Sequence, residues 1–230
     1  MINLHNVDCM EYMAGLPDKA YDLAIVDPPY GIGEDGGKDA GRVRKSGRYA
    51  TAPQGYAAGG WDSATPADEY FAELRRVSSG QIVWGGNYFA MPASSGWIVW
   101  DKKTTGDFAD CELAWTSFTK AVRKFEFLWS GFKMAVREQR IHPTQKPVAL
   151  YRWLLQNYAK PGDKILDTHG GSMSSAIAAD IEGFDLDLCE LDRDYFEAGK
   201  KRLEQHRLQP RMFAPEPIPV NVQTSIEDAE

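Results

Sequence analysis

The sequence predicts an α/β fold in which helices cover both faces of a mostly parallel sheet. Apolar runs of strand length alternate along the chain with segments of helical period, as in sheets built with crossover helices. With 230 residues, 43% of them hydrophobic, the chain can bury one core and is short for two domains. We expect one domain over residues 1–209 and a disordered, Pro-rich acidic tail over residues 210–230.

Each element is predicted by its own local pattern. Strands are expected at the apolar runs "INLHNV", "YDLAIV", "QIVWGGN", "GWIVWDK", "CELAWTSF", "KILD" and "FDLDLCELD". Helices are expected at "DCMEYMAGL", "TPADEYFAELRRV", "HPTQKPVALYRWLLQNYAKPG", "MSSAIAADIE" and "RDYFEAGKKRLEQH". In the third of these helices Val148, Tyr151 and Leu155 share one face, and Thr144 is expected to cap the start.

Composition and charge exclude several classes of protein. No apolar run is long enough to span a membrane, and the first residues lack the basic flank of a signal peptide, so no membrane partner is expected. Three cysteines without pair spacing fit a reduced, cytoplasmic protein, and four scattered histidines predict no metal site. The net charge of −7 argues against a broad nucleic-acid footprint, although residues 31–60 carry a local excess of cations.

The segment "KILDTHGGSMSSAIAAD" reads as a strand, a glycine turn and a helix, a geometry that lets a ligand approach the backbone. Glu190 ends the next strand, where an acid typically holds ribose hydroxyls. The turn contains neither G-x-G-x-x-G nor G-K-[ST], which disfavours NAD and ATP and favours a nucleoside cofactor without a pyrophosphate, such as S-adenosylmethionine. A tight turn with a capping acid is the structural alternative.

The tetrapeptide "DPPY" at residues 27–30 directly follows an apolar strand. Two prolines end the strand and make a stiff turn, because proline cannot donate to a sheet ladder. The Asp27 carboxylate and the Pro28 carbonyl could accept the N–H bonds of an exocyclic base amine and turn its lone pair out of conjugation. Tyr30 offers a face on which a base flipped out of the duplex could stack. A strand-ending turn with a packed tyrosine is the alternative.

Three segments together resemble the beta class of DNA amino-methyltransferases that use S-adenosylmethionine, in which a circularly permuted order puts the catalytic motif before the cofactor motif. The segments are "NVDCMEYMAGLPDKAYDLAIVDPPYGIG", "HPTQKPVALYRWLLQNYAKPGDKILDTHGGS" and "GFDLDLCELDRDYF". The resemblance implies a Rossmann-like methyltransferase fold with a seven-stranded mixed sheet and one antiparallel strand near its edge. It also implies S-adenosylmethionine as cofactor and DNA as partner, and relatives that often dimerise leave a homodimer open.

The resemblance assigns a role to each matching residue. Asp27, Pro28, Pro29 and Tyr30 would hold the target base, and Asp27 would also approach the methionine part of the cofactor. The implied cofactor contacts are Asp8 and Cys9 at the adenine ring, Thr144, Gln145 and Lys146 at the methionine carboxylate, Asp167, His169, Gly170, Gly171 and Ser172 in the wall of the glycine turn, and Glu190 at the ribose.

Several of these residues also have simpler interpretations. Cys9 could be a small residue at a helix start, and Thr144 could be only a cap. Lys146 could be a solvated cation, and His169 could be a packed turn residue.

Two features depart from the family pattern. Met173 stands where a second glycine is usual, and its side chain could crowd the cofactor or pack under the helix. No block of the chain stands out as a separate recognition domain, so recognition would come from a loop over residues 31–60 and a stretch over residues 102–140. We expect the loop to be mobile without DNA and to contact DNA through Arg42, Arg44, Lys45 and Arg48; solvated faces are the alternative for the charges of the second stretch.

The motif favours N6-adenine as the target, because the cytosine-N4 members more often begin it with serine. N4-cytosine remains the alternative. Cytosine-C5 chemistry is disfavoured because no Pro-Cys pair occurs, and Asp27 with the permuted order disfavours glutamine methylation. An inactive DNA-binding relic is the remaining hypothesis, and Met173 is its support.

Overall fold

The structure is a computed structural model, and it describes residues 1–34, 60–103, 109–129, 138 and 140–209. Within these residues, eight strands form one sheet. The strands are β1 (Ile2–His5), β2 (Tyr21–Val26), β3 (Ser78–Trp84), β4 (Trp97–Asp101), β5 (Cys111–Thr116), β6 (Arg123–Glu126), β7 (Lys164–Asp167) and β8 (Asp185–Cys189). The helices are α1 (Cys9–Ala14), α2 (Asp68–Val77), α3 (Val148–Tyr158), α4 (Ser174–Glu182) and α5 (Arg193–Leu208), with a 3₁₀ turn at Gly86–Tyr88.

The strands follow the order β1-β8-β7-β2-β3-β5-β4-β6. The first five in this order are mutually parallel, and β5 runs antiparallel to both of its neighbours. The mixed α/β sheet and the single antiparallel strand among the described elements confirm the predicted fold class. The segment that contains the "DPPY" turn and the segment that contains the glycine turn meet where β2 pairs with β7.

The number of strands differs from the prediction, since the sheet has eight strands where seven were expected. The additional strand is β6, with the sequence "RKFE", which pairs in parallel with β4 at the edge of the sheet. Only Phe125 of this strand is buried, because an edge strand can leave its other side chains in water. Its short, charged sequence therefore carries no apolar run by which it could be predicted.

Alternation along β2 sends side chains to two cores, one on each face of the sheet. Leu23 and Ile25 pack with residues of α3 and α4, and Ala24 and Val26 pack with residues of α1 and α2. No helix among the described residues is long and apolar enough to cross a membrane.

The start of α3 corrects one prediction. The helix begins at Val148, and Thr144 precedes it in an exposed turn instead of capping it. Glu138 takes the role of the cap, because its Oε1 accepts the backbone N–H of Val148 at 3.1 Å. The proline at position 147 explains the late start, since the residue before a proline is biased away from helical geometry.

Three predictions lie largely or wholly outside the described residues. They concern the loop over residues 31–60, of which residues 35–59 are not described, the cations at 42, 44, 45 and 48, and the tail from residue 210. They stay predictions.

Candidate active site

Most of the predicted site residues lie at one edge of the sheet, where the carboxyl ends of neighbouring parallel strands meet. Asp8 follows β1, Glu190 follows β8, Asp167 ends β7 and Asp27 follows β2. Ligands of open α/β sheets bind outside the carboxyl ends of the strands. This edge is therefore the candidate site.

The carboxylate of Asp27 is held from two sides. Tyr30 Oη donates to Oδ1 at 2.6 Å, and Lys146 Nζ donates to Oδ2 at 2.5 Å. Lys146 Nζ also lies 3.1 Å from Tyr30 Oη. Each carboxylate oxygen has two acceptor positions, so both oxygens can accept a further N–H bond from a ligand.

Tyr88 covers one face of the Tyr30 ring. The two rings stack with centroids 5.0 Å apart and an interplanar angle of 14°. Tyr88 itself is 46% exposed. A base that stacks on this face of Tyr30 therefore has to displace Tyr88, a residue that the sequence did not mark.

Lys146 is buried, so the interpretation as a solvated cation is wrong. Its Nζ lies 3.1 Å from Glu112 Oε2 in addition to its contact with Asp27, and Glu112 also pairs with Lys102. Burial opposes the charge on Lys146, but Asp27 and Glu112 raise its pKa above the ordinary value. Burial likewise opposes the charge on Glu112, yet Lys146 and Lys102 lower its pKa to about 2. The site thus contains a network of alternating charges in which Lys146 is buried and its partners are half-buried.

The glycine turn packs tightly against β8. A Cβ at Gly170 would lie 2.2 Å from the side chain of Leu188. Gly171 has a φ of 49°, and its N–H donates to Glu190 Oε2 at 2.7 Å. The other oxygen of Glu190 accepts the N–H of Asp192 at 2.8 Å. Glu190 therefore supports the turn, and its oxygens keep acceptor positions for a ligand.

Met173 packs under the helix and away from the mouth of the turn. Its backbone has a φ of 58°, the left-handed region that explains why glycine is usual here. Its side chain is fully buried and faces α5, where a Cβ at Gly199 would lie only 2.7 Å from Met173 Cγ. A glycine in α5 thus provides the space for this methionine.

Two titratable residues of the turn are shielded from water, with Asp167 buried and His169 half-buried. Burial raises the pKa of Asp167 to about 7, although the Ser175 hydroxyl and the His169 N–H donate to its oxygens at 2.5 and 3.0 Å. Burial lowers the pKa of His169 to about 4, and its ring lies edge-on to Tyr70 with centroids 5.4 Å apart. Ser172 is buried, and its Oγ lies 3.1 Å from Ser174 Oγ.

Asp8 and Cys9 lie at the start of α1. Asp8 Oδ1 accepts the N–H of Met10 at 2.7 Å and so caps the helix. Cys9 is the first helical residue, as its simpler interpretation predicted. Burial, with the charge of Asp8 as a second cause, raises the pKa of the thiol to about 12, so it is not a thiolate at neutral pH.

Gln145 and Thr144 contact their own loop. Gln145 is buried, its Oε1 accepts the N–H of Ile141 at 3.1 Å, and its carbonyl accepts the indole N–H of Trp129 at 2.9 Å. Thr144 Oγ1 lies 3.1 Å from His142 Nδ1. These bonds shape the loop before α3, and the contacts implied with a cofactor carboxylate stay predictions.

Sequence reasoning missed an aromatic cluster in which His142 lies beside the glycine turn and Tyr195 and Trp61 pack on His142. The His142 ring would lie 3.7 Å from a Cβ at Gly171, and it packs on Tyr195 at 4.3 Å and on Trp61 at 5.1 Å between centroids. Burial, with Lys146 and Arg140 as further causes, lowers the pKa of His142 to about 3, so the ring is neutral. The signal was available for two of them, since His142 and Tyr195 belong to the resembling segments.

Several cations of the predicted DNA-recognition stretch are already paired with acids. Lys103 and Lys124 both pair with Glu126, and Lys102 pairs with Glu112. Three of the six lysines and arginines that the structure describes in this stretch are thus paired with its own carboxylates. Among the described residues, no group of three His, Cys, Asp or Glu side chains could hold a metal ion.

Comparison with known proteins identifies a matching family. Residues 89–201 match the family model N6_N4_Mtase, described as DNA methylase. YubD of Escherichia coli (strain K12), which carries the name of a candidate methylase, is 26% identical over 211 residues, covering 85% of this chain and 87% of YubD. The DNA adenine methyltransferase YhdJ of the same strain is 34% identical over 67 residues, covering 29% of this chain and 23% of YhdJ.

Solved structures share the fold. The M1.HpyAVI-SAM complex has a TM-score of 0.54 at 20% identity, covering 88% of this chain and all (100%) of that one. The PvuII DNA methyltransferase, named as cytosine-N4-specific, has a TM-score of 0.56 at 13% identity, covering 90% of each chain. The shared architecture is the one expected from the resembling segments.

Proposed function

We propose that this chain, which belongs to the DNA amino-methyltransferase family, transfers a methyl group from S-adenosylmethionine to the exocyclic N6 of adenine in DNA. The observation that carries the proposal is the Asp27 turn at the end of β2, one strand away from the glycine turn at the end of β7. This adjacency lets a base and a nucleoside cofactor occupy neighbouring positions at one sheet edge. The base has to leave the duplex to reach the turn.

The residues at the glycine turn fit S-adenosylmethionine. Gly171 adopts a left-handed φ beside Glu190, whose carboxylate keeps acceptor positions that suit ribose hydroxyls. Asp27 and Asp167 add carboxyl groups that suit a cationic methionine ammonium better than a phosphate. We therefore assign Glu190 to the ribose and Asp27 to the methionine side of the cofactor.

The chain contributes orientation and hydrogen-bond acceptors to the reaction. Bound S-adenosylmethionine would supply an electrophilic methyl carbon to the N6 lone pair, with its sulfur as the leaving group. The Asp27 carboxylate and the Pro28 carbonyl accept the two N–H bonds of the amine, which frees that lone pair from the ring. Asp27, which accepts one of these N–H bonds, also takes the proton that N6 loses after transfer. Because Tyr30 and Lys146 already fix the carboxylate, it needs little reorganisation.

The choice of adenine is supported by the aspartate that begins the motif. The local match to a protein named a DNA adenine methyltransferase points the same way. N4-cytosine is the second candidate, because the PvuII enzyme that shares the fold is named as cytosine-N4-specific. The chemistry at Asp27 is the same for both amines.

The packing of Met173 favours an active enzyme over an inactive relic. That hypothesis depended on Met173 crowding the cofactor, and the side chain instead packs against Gly199 beneath α4. The wall of the turn that faces a ligand is still formed by Gly171.

The test is methyl transfer from labelled S-adenosylmethionine to unmethylated genomic DNA, followed by digestion and separation of the nucleosides by mass spectrometry. The proposal predicts labelled N6-methyladenine. Labelled N4-methylcytosine would preserve the mechanism and change the base. A folded protein that methylates none of several DNAs would refute the proposal.

A further inference from the structure

The catalytic turn cannot hold itself in place by its own backbone. Pro28 and Pro29 have no N–H, so the first two backbone donors after Asp27 belong to Tyr30 and Gly31. A turn that aims a carboxylate and a carbonyl at one amine needs its position fixed to a fraction of an ångström. The acceptor that binds these two donors therefore holds the backbone of the turn, while Tyr30 Oη and Lys146 hold the Asp27 side chain.

That acceptor is Asp62. Its Oδ1 accepts the N–H of Tyr30 at 2.7 Å and the N–H of Gly31 at 2.8 Å, and its Oδ2 accepts the N–H of Glu34 at 2.8 Å. Its own carbonyl accepts the N–H of Gly33 at 3.0 Å. Asp62 is only 3% exposed.

The backbone is shaped to present these donors to one anion. Gly31 and Gly33 have φ values of 71° and 69°, which turn successive N–H groups inward to form an anion-binding nest. A Cβ at Gly31 would lie 3.1 Å from the backbone N of Thr65, so the chain segment around Asp62 closes directly on this glycine. Hydrogen bonds from backbone N–H groups to a buried carboxylate are among the stronger ones in proteins.

From this geometry we infer that Asp62 is a positioning residue for methyl transfer, which fixes the Pro28 carbonyl and the Asp27 carboxylate by anchoring Tyr30 and Gly31. As a positioning residue, Asp62 contacts neither the base nor the cofactor. The inference rests on the proposed function for its catalytic consequence, while the anchor itself is a property of the unliganded chain.

Comparing Asp62→Ala with Asp62→Asn distinguishes the effect of losing all three accepted hydrogen bonds from that of changing only the Oδ2 atom. Alanine removes all three acceptor bonds, and we expect the turnover rate for transfer to fall on the order of 100-fold, with the dissociation constant for S-adenosylmethionine within about threefold of wild type. An asparagine oxygen can still accept from Tyr30 and Gly31, so Asp62→Asn should keep the rate within about threefold. The control is Asp22→Ala, which removes a carboxylate that accepts the N–H of Lys164 at 2.9 Å at the other end of β2.

A second readout does not depend on activity. Amide hydrogen exchange should show that Tyr30 and Gly31 lose protection in Asp62→Ala and keep it in Asp22→Ala, while the amide of Gly171 stays protected in both. Unchanged protection of Tyr30 and Gly31 would overturn the anchor even if the wild-type protein methylates no DNA. With an active wild type, a full rate in Asp62→Ala, an Asp62→Asn rate as low as that of alanine, or a parallel loss of cofactor binding would overturn the positioning role.

Discussion

Lys146 is a buried cation whose charge is balanced by two carboxylates, those of Asp27 and Glu112. The substitution Lys146→Met keeps much of the side-chain volume and leaves both acids without this partner. Removing one member of a buried ion pair typically costs about 3–5 kcal/mol, because an uncompensated charge remains. We expect a loss of that order in the free energy of unfolding, measured by urea denaturation.

The matched control is Lys103→Met. Lys103 also pairs with two acids, Asp101 and Glu126, but its side chain is 46% exposed. Ion pairs in contact with water contribute little to stability, so this variant should lose much less unfolding free energy than Lys146→Met does. Equal losses of unfolding free energy in the two variants would show that Lys146 is not shielded from water.

Because its carboxyl is buried, Asp167 should make the stability of the protein depend on pH. Burial raises its pKa from 3.8 to about 7, so the folded protein binds this proton more tightly than the unfolded chain does. The contribution of Asp167 to stability is therefore fully present below about pH 4 and is lost as pH rises to about 7, on the order of 4 kcal/mol in total.

The variant Asp167→Asn removes this titration. As pH rises from 4 to 7, the unfolding free energy of the variant should increase relative to that of the wild type. His142 and His169, with lowered pKa values, contribute the opposite slope, but they are present in both proteins and cancel in the difference. A difference that does not vary with pH would contradict the raised pKa.

Local patterns identified Asp27, Asp167 and Glu190 because each ends an apolar strand. Glu112 and Asp62 could not be found in this way. Glu112 lies near the start of β5, and only the antiparallel direction of that strand brings it to the carboxyl edge of its neighbours. Asp62 meets its donors across a chain separation of about 30 residues, which no short-range pattern encodes.

Between elements, Met173 at the start of α4 and Gly199 in α5 form a complementary pair. Gly199→Ala places a Cβ 2.7 Å from Met173 Cγ and should destabilise the protein. In a Met173→Gly background the same alanine loses its two closest contacts and keeps only the Gly171 carbonyl oxygen at 3.3 Å, so it should cost less stability than in the wild type. Unfolding free energies of the four proteins should give a coupling energy of about 1–2 kcal/mol.

Met173→Gly alone should lower stability. The loss of a buried methionine side chain costs about 2–5 kcal/mol, more than the roughly 1–2 kcal/mol gained by releasing a left-handed backbone. A coupling energy near zero, or a more stable Met173→Gly protein, would show that Met173 is not packed against α5.

At the level of elements, hydrophobic period predicted the strands and helices whose side chains enter a core. It failed at β6, where pairing with β4 and not burial makes the strand. It also placed the start of α3 too early, because Pro147 and the bond from Val148 to Glu138 fix that boundary. Both failures occur where hydrogen bonds to distant residues decide the structure.

The whole molecule brings together two motifs that lie about 140 residues apart in the chain. The order of the sheet puts β2 beside β7, so the turn after Asp27 and the turn after Asp167 share one edge. The sequence could predict each turn and, through the family resemblance, their partnership. It could not predict that Lys146 and Tyr30 would hold both oxygens of Asp27.

The role of Asp27 is tested by comparing wild type with Asp27→Ala in transfer of labelled methyl groups to unmethylated DNA, with the nucleosides identified by mass spectrometry. We expect N6-methyladenine from the wild type and a rate lower by at least roughly 100-fold in the variant, which should remain folded. Undiminished transfer by Asp27→Ala would contradict the assignment of the "DPPY" turn as the site where the base amine reacts.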